Sequence, residues 1–573
     1  MEEMMTGSEI LVRALADNGV QCVFGYPGGQ IMPVYDRIYE NPYGVRHYLA
    51  RHEQGAIHAA EGYARATRKP GVVISTSGPG AMNLLTGLAD ALMDSTPIVA
   101  ISGQVGCSML GKDAFQESDV ISCVLPVTKW AFQVRRPEDI APALAKAFFI
   151  ARSGRPGPVL IDVARDAQVG TAPYVRQPQP FIRSYEPDPQ PSDADIEETA
   201  SLINEANRPM ILAGHGIMIS GAEKELALLA EKADIPVACT MLGLSSLPSD
   251  HSHYVGILGM HGNLGPNINT NRADLIIAVG MRFDDRVTGD VRKYAPGARI
   301  VHIDIDASEF DKMIKCDLHI HSDARKALAA LLPLVEKASR SEWMESFGIH
   351  ARVEAERVMA RQFAVASPRG GMLMGGVVRK VSEAYGDNAV IVTDVGQNQM
   401  FSVRYSRFRS SNSLISSGGL GTMGFGLPAA IGAKIGVPDR DVVLFVGDGG
   451  LQMTIEELGV IMEYGVDVKI VLLNNNFLGN VRQWQRLFFN GRYSSTPMVN
   501  PDFLMLARAY GIAGAEVADA SGLDAAIEKM RAHKGAYLLD VNIDETDMVF
   551  PMTPGGSAVD EILLNESEYY KPV

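Results

Sequence analysis

The 573-residue chain is 46% hydrophobic and 21% charged, an ordinary globular composition with enough apolar residues for several sizeable cores. A formal charge of −15 argues against nucleic acid or an anionic membrane as a principal partner, and no apolar run reaches membrane-spanning length. Five cysteines (22, 107, 123, 239 and 316) are odd in number and lack CxxC pairing, the usage of a reduced, cytoplasmic protein whose thiols are small core residues.

The acidic start, Met1 to Met5, leads straight into an amphipathic helix and is expected to carry neither signal nor transit peptide. Residues 1–168 then alternate apolar strands, at 22–24, 72–75, 98–102 and 159–163, with helical stretches. A linker at 169–192 holds six prolines and is expected to be extended. A second α/β unit spans 193–335, with strands at 210–213, 275–279 and 300–305. Residues 336–369 form a charged helical connector, 370–548 a third α/β unit, and 549–573 a tail rich in proline and glycine near its start. The expected fold class is α/β: three doubly wound domains built on central parallel sheets.

The most specific signal lies in the third unit. Gly447-Asp448-Gly449 ends an apolar strand, and Asn474-Asn475 ends the next one after 24 intervening residues. Residues 451–464 between them have helical apolar spacing, with Glu456 and Glu457 expected on the outer face. A right-handed strand–helix–strand crossover places both loops at the carboxyl edge of one parallel sheet. There Asp448 and Asn475 offer hard oxygen ligands suited to Mg²⁺ or Ca²⁺, while Gly449 and Gly450 allow close backbone approach to a diphosphate.

This arrangement resembles the GDG…NN signature of thiamine-diphosphate enzymes. The resemblance implies a metal held by Asp448, Asn475 and the Phe477 carbonyl, and a thiamine-diphosphate-binding fold at both ends of the chain around a Rossmann-like middle domain. The first domain would bind the pyrimidine and the third the diphosphate. In the first domain, Arg51-His52-Glu53-Gln54 before a helix rich in small residues resembles the family's glutamate segment, so Glu53 would exchange a proton with the cofactor's pyrimidine ring. Further cofactor contacts implied are Pro79, Asn83, Val395, Gly396, Gln397, Asn398, Gly421, Met423, Asp448, Gly449, Gly450, Asn475, Leu478, Gly479 and Asn480. Because Glu53 and the GDG loop lie in different domains, a homodimer is the expected minimum unit, with a tetramer left open.

Four segments resemble the acetohydroxyacid synthase (acetolactate synthase) catalytic subunits more narrowly: Asp113–Glu117, Leu258–Gly262, Arg282–Arg286 and Val481–Gln485. That resemblance implies decarboxylation of pyruvate and transfer of the two-carbon unit to pyruvate or 2-ketobutyrate, in branched-chain amino acid biosynthesis. It implies structural FAD contacted by Arg155, Gly214, His215, Gly216, Thr240, Met241, Leu258, Met260, His261, Gly280, Arg282, Asp284, Arg286, Asp304, Ile305, Asp323, Ala324, Gln399 and Met400. Arg286 would meet the acceptor carboxylate, Gln116 and the Gly29 backbone the reacting oxygens, and Trp484 the acceptor side chain. Such subunits commonly pair with a small regulatory subunit. The chain departs from the family pattern at Gln30, Arg165, Asn398 and Asn480, which bears on substrate ranking rather than reaction class. The alternatives are an FAD-dependent pyruvate oxidase, which would release acetate and peroxide, and another thiamine-diphosphate carboligase.

Overall fold

A computed structural model describes residues 3–572. Three six-stranded, wholly parallel sheets follow one another along the chain. The first contains β1 (Cys22–Gly25), β2 (Arg46–Leu49), β3 (Gly71–Ser75), β4 (Ile98–Gln104), β5 (Trp130–Val134) and β6 (Pro158–Ala164). The second contains β7 (Pro209–Ala213), β8 (Val237–Cys239), β9 (Tyr254–Ile257), β10 (Leu275–Val279), β11 (Arg299–Asp304) and β12 (Leu318–His321). The third contains β13 (Val390–Thr393), β14 (Leu414–Ile415), β15 (Val442–Gly447), β16 (Val468–Asn474), β17 (Ala513–Val517) and β18 (Tyr537–Asn542). Central strands such as β4, β7 and β10 are buried along their whole length, as helices covering both faces require.

The first sheet runs β2-β1-β3-β4-β6-β5 and the third β14-β13-β15-β16-β18-β17, which is the same topology twice. The middle sheet runs β9-β8-β7-β10-β11-β12, the order of a dinucleotide-binding doubly wound sheet. Its chain reverses direction between β7 and β10, where such sheets open a crevice for ligands. The three-domain α/β expectation therefore holds, and the two outer domains share an architecture that no short sequence repeat announces.

Local details depart from the sequence reading. The helix expected over 451–464 begins at Asp448 and breaks at Thr454, giving Asp448–Met453, a 3₁₀ turn Ile455–Glu457, and Leu458–Tyr464. Thr454 leaves helical geometry (φ −139°, ψ 31°) and its hydroxyl donates to the Gly424 carbonyl at 2.8 Å. That break turns Glu457 inward, to 1% exposure, instead of onto the outer face. The start of the proline-rich linker is extended as its prolines imply, but it is also paired: Thr171–Pro173 runs along Met4–Thr6. The tail folds back too: Leu563–Asn565 pairs with Glu568–Tyr569, and Phe550, Met552 and Ile562 pack on Leu264 and Ile268 of the middle domain. Among the described residues no helix is long and apolar enough to cross a membrane.

Helices of the outer domains meet directly. Glu53–Thr67 crosses Gly426–Gly436 so closely that a Cβ on Gly62 would overlap the Ala429 carbonyl, and one on Gly432 the Ala59 carbonyl. The small residues of the helix after Glu53 thus allow backbone-to-backbone packing.

Candidate active site

β15 and β16 are neighbours with Gly447 paired to Leu473, so Asp448 and Asn474-Asn475 leave the sheet side by side at its carboxyl edge. Asp448 is 1% exposed, and burial pushes its carboxyl up from the usual range. Its Oδ1 accepts from the Gly449 N–H at 3.1 Å and its Oδ2 from Asn500 Nδ2 at 2.7 Å. The same Asn500 amino group donates to Asn474 Oδ1 and Asn476 Oδ1, both at 3.1 Å, so three oxygens converge on one positively polarised donor. Asn475 Oδ1 accepts from the Phe477 N–H at 3.1 Å, while its Nδ2 donates to Gln397 Oε1 at 3.3 Å. The chemistry of this edge, buried carboxylate and amide oxygens with, among the described residues, no basic side chain hydrogen-bonded to Asp448, fits a hard divalent cation.

Around that edge, the other third-domain residues singled out in the sequence form one cradle. Gly449 allows Leu478 and Met423 to close over the loop: a Cβ there would stand 2.7 Å from Leu478 Cδ2 and 3.8 Å from Met423 Cε. Asn398 Nδ2 lies 3.2 Å from the Cβ position of Gly447, and Asn398 Oδ1 is buried without a partner among the described residues. Gly479 leaves room for Gln397, Gly450 leaves room for the Asp394 carboxylate, and Val395 lies against Gly421. Gly396 (φ 134°) and Gly421 (φ 74°) hold backbone conformations that favour glycine.

Asp394 and Asn500 are organising residues that the sequence reading missed. Asp394 follows β13 and accepts from the N–H groups of Val395 (2.8 Å), Gly424 (3.0 Å) and Gly426 (2.9 Å), tying the end of β13 to the loop that leads into the Gly426–Gly436 helix. Burial raises it to about 6. Carboxylates at strand ends were the available signal for Asp394. Asn500 lies 52 residues beyond Asp448, with no motif to mark it.

A second set gathers in the first domain. Glu53 opens its helix, is 9% exposed, and accepts from Asn83 Nδ2 at 2.9 Å. Pro79 begins the short helix Pro79–Met82 after β3. The positive φ of Gln116 (58°) brings its backbone against Gly78, 2.7 Å from the Cβ position there. Gly29 begins a 3₁₀ turn, and its carbonyl accepts from Arg165 Nη1 at 3.0 Å. Among the described residues, no hydrogen bond links the Glu53 carboxyl to the third domain; Glu457 instead reaches back to the Arg51 and His52 N–H groups, each at 3.0 Å.

A cavity of about 930 Å³ opens where the three domains meet. Its wall includes Arg155, His215, Gly216, Thr240, Met241, Leu258, Met260, His261, Gly280, Arg282, Asp284, Arg286, Asp304, Ile305, Asp323, Ala324, Gln399 and Met400. Gly214 is not on that wall: it packs against Gly280, whose carbonyl a Cβ would overlap, and so seats the β7 loop on the β10 loop. Gly421, Asn480 and Trp484 close the third-domain side. Burial lowers His215 and His261 to about 3, leaving both neutral, and raises Asp304 to about 7. Among the described residues His261 Nδ1, Asn480 Oδ1 and Trp484 Nε1 are buried without partners, the condition of a polar wall built to meet a ligand. The Arg286 guanidinium lies 6.0 Å from the Trp484 ring centroid.

Family models match part of each of the three domains. The N-terminal TPP binding domain of thiamine pyrophosphate enzymes covers residues 5–123, the central domain of these enzymes 196–331, and their C-terminal TPP binding domain 394–541. Fold and site therefore define a three-domain thiamine-pyrophosphate enzyme. The chain is 42% identical to the acetolactate synthase isozyme 2 large subunit of Escherichia coli K12, over 98% of this chain and 99% of that one. It is 41% identical to the acetolactate synthase large subunit of Lactococcus lactis, over 98% and 97% respectively. Identity is also 41% to a probable acetolactate synthase large subunit of Methanocaldococcus jannaschii, over 98% and 95%. The chain belongs to the acetolactate synthase large-subunit family.

Proposed function

We propose that this chain is the catalytic subunit of an acetolactate synthase, condensing pyruvate with a second 2-ketoacid in branched-chain amino acid biosynthesis. The observation that carries this reading is end-to-end similarity to acetolactate synthase large subunits, together with the GDG…NN edge and the Arg286–Trp484 wall in this chain. Bound thiamine diphosphate supplies the carbanion chemistry that decarboxylation and carbon–carbon bond formation require.

The chain's own residues bind, orient and move protons. Asp448, Asn475 and the Phe477 carbonyl would hold Mg²⁺ against the diphosphate, with Gly449 and Gly450 offering N–H groups to its oxygens. Met423 and Leu478, packed over Gly449, would set the cofactor's bend. Glu53, fixed by Asn83, would hold the proton exchanged with the pyrimidine nitrogen. Arg286 would pair with the acceptor carboxylate and Trp484 would bound the acceptor's alkyl group, while Gln116 and the Gly29 N–H would face the reacting oxygens. The cavity's volume, its position at the reversal between β7 and β10, and its unpaired polar atoms favour FAD in a structural role. Placement of the Glu53 and Asp448 sets in separate domains favours a homodimer in which the first domain of one copy completes the third-domain site of the other. The large-subunit relationship supports a small regulatory partner.

The test is pyruvate turnover by the purified chain with thiamine diphosphate and Mg²⁺, with FAD added or withheld. FAD-dependent acetolactate without peroxide is expected. Acetate with electron transfer to oxygen or a dye would overturn the synthase reading in favour of an oxidase.

A further inference from the structure

Away from the cavity and the diphosphate edge, ligand-type side chains cluster at the edge strand of the middle sheet. Asp311 lies in the loop after β11, Cys316 just before β12, and His319 on β12. Asp311 (φ 57°) turns back over the other two, its Oδ1 accepting from the Cys316 N–H at 2.8 Å and lying 3.0 Å from His319 Nε2. One carboxylate oxygen, the sulfur and one imidazole nitrogen all lie within 4.8 Å of one another. Phe310 stacks on the His319 ring with centroids 4.8 Å apart and planes at 18°, fixing the imidazole. The sulfur lies inside and the other two ligands reach solvent: Cys316 is 7% exposed, and the Asp311 and His319 side chains 46% and 36%.

We propose that Asp311, Cys316 and His319 form a binding site for a borderline-soft divalent cation of the zinc class, completed by water. Sulfur, imidazole nitrogen and carboxylate oxygen on three sides, with solvent on the fourth, are the donors and open position of a tetrahedral zinc centre. Bond lengths of about 2.0–2.3 Å put tetrahedral ligands ~3.5 Å apart. Asp311 Oδ1 and His319 Nε2, 3.0 Å apart, would open by about half an ångström and separations of up to 4.8 Å would close by about 1.3 Å, both within reach of side-chain rotation. Mg²⁺ and Ca²⁺, which take all-oxygen sets, would not compete here. As the sulfur coordinates, its proton leaves to solvent, and no oxidant or reductant is involved. The same loop carries Asp306 and Glu309, paired with Arg155 on the cavity wall at 3.3 and 2.7 Å, so a cation at Asp311 would stiffen that wall from outside.

The test uses the full-length chain with Cys107 and Cys123 replaced by serine, stripped by chelator and resupplied with excess Mg²⁺, then titrated with Co²⁺. One Co²⁺ per chain is expected, with sulfur-to-cobalt charge-transfer absorption that stoichiometric Zn²⁺ removes. Cys316→Ser should abolish that absorption. His319→Ala and Asp311→Asn, at solvent-reached positions, should each weaken Zn²⁺ binding at least ~10-fold with unchanged circular dichroism. Absence of the band in the parent, its survival in Cys316→Ser, or unchanged Zn²⁺ affinity in His319→Ala would overturn the proposal.

Discussion

Glu457 joins the diphosphate domain to the segment leading into Glu53, and its replacement tests that coupling. Its Oε1 accepts from the Arg51 and His52 N–H groups at 3.0 Å, its Oε2 lies 3.2 Å from the Arg51 nitrogen, and its side chain fills the space left by Gly55. Glu457→Ala leaves two part-buried N–H donors without a partner, at about 1–3 kcal/mol each. Partial access to water places the sum near the low end, about 2–3 kcal/mol. Glu457→Gln keeps the oxygen that serves both donors and should cost less than about 1 kcal/mol. A three-domain chain does not unfold in two states, so the readout is amide hydrogen exchange over 46–58, where 1.4 kcal/mol is tenfold in protection. Burial raises the Glu457 carboxyl to about 8 from its ordinary 4.5. For an acid whose pKa rises on folding, the stabilisation is complete below the unfolded value and is lost as pH climbs to the folded one. Protection in wild type relative to Glu457→Gln should therefore fall by up to ~10-fold per pH unit between about pH 5.5 and 7.5 and level off above about 8. An alanine variant within 1 kcal/mol of wild type, or a flat ratio across that range, would refute the reasoning.

Four further substitutions probe the site and its frame. Glu53→Gln should lower acetolactate formation at least ~100-fold while circular dichroism and FAD content stay as in wild type, since it removes one proton-transfer group and little else. Asp448→Ala should abolish Mg²⁺ dependence and weaken thiamine diphosphate binding at least tenfold; because burial raises the Asp448 carboxyl and a cation requires it ionised, Mg²⁺ affinity in wild type should rise with pH. Gly432→Val drives carbons into the Ala59 carbonyl and should cost about 1–3 kcal/mol or more by forcing the two helices apart, measured as loss of amide protection in both. Trp484→Ala should change the ratio of 2-aceto-2-hydroxybutyrate to acetolactate by ~10-fold or more, the scale of one methylene's contact, with smaller effect on total turnover.

The legible parts of this fold were those whose cause is local. β3, β4, β7 and β10 are buried apolar runs bounded by turn residues, and their limits shift by at most two residues between sequence and structure. The GDG and NN loops sit at the ends of two such strands, so the sequence marks both the edge and the chemistry there. The edge strands β2 and β5 and the short inner strand β8 escaped the reading for the converse reason. β2 and β5 are partly exposed and alternate irregularly, while β8 has only three residues, too few to display a period.

Glu457 shows where such reading fails and why the failure is informative. By local pattern a glutamate beside Glu456 on an apolar helix belongs to the wet face. In the structure Thr454 spends its hydroxyl on Gly424, the helix restarts in a new direction, and Glu457 answers backbone donors 405 and 406 residues earlier. Asp394 is the same case within one domain, buried because its own turn at Val395 and a segment 30 residues on, at Gly424 and Gly426, need one acceptor. Amphipathic pattern reports the distribution of apolar area, whereas a buried carboxylate reports unsatisfied N–H groups elsewhere, and those are specified only once the backbone has folded. The polar residues that violate the pattern are therefore the ones that join domains and loops around the site, and replacing them should perturb its assembly before it perturbs any one core.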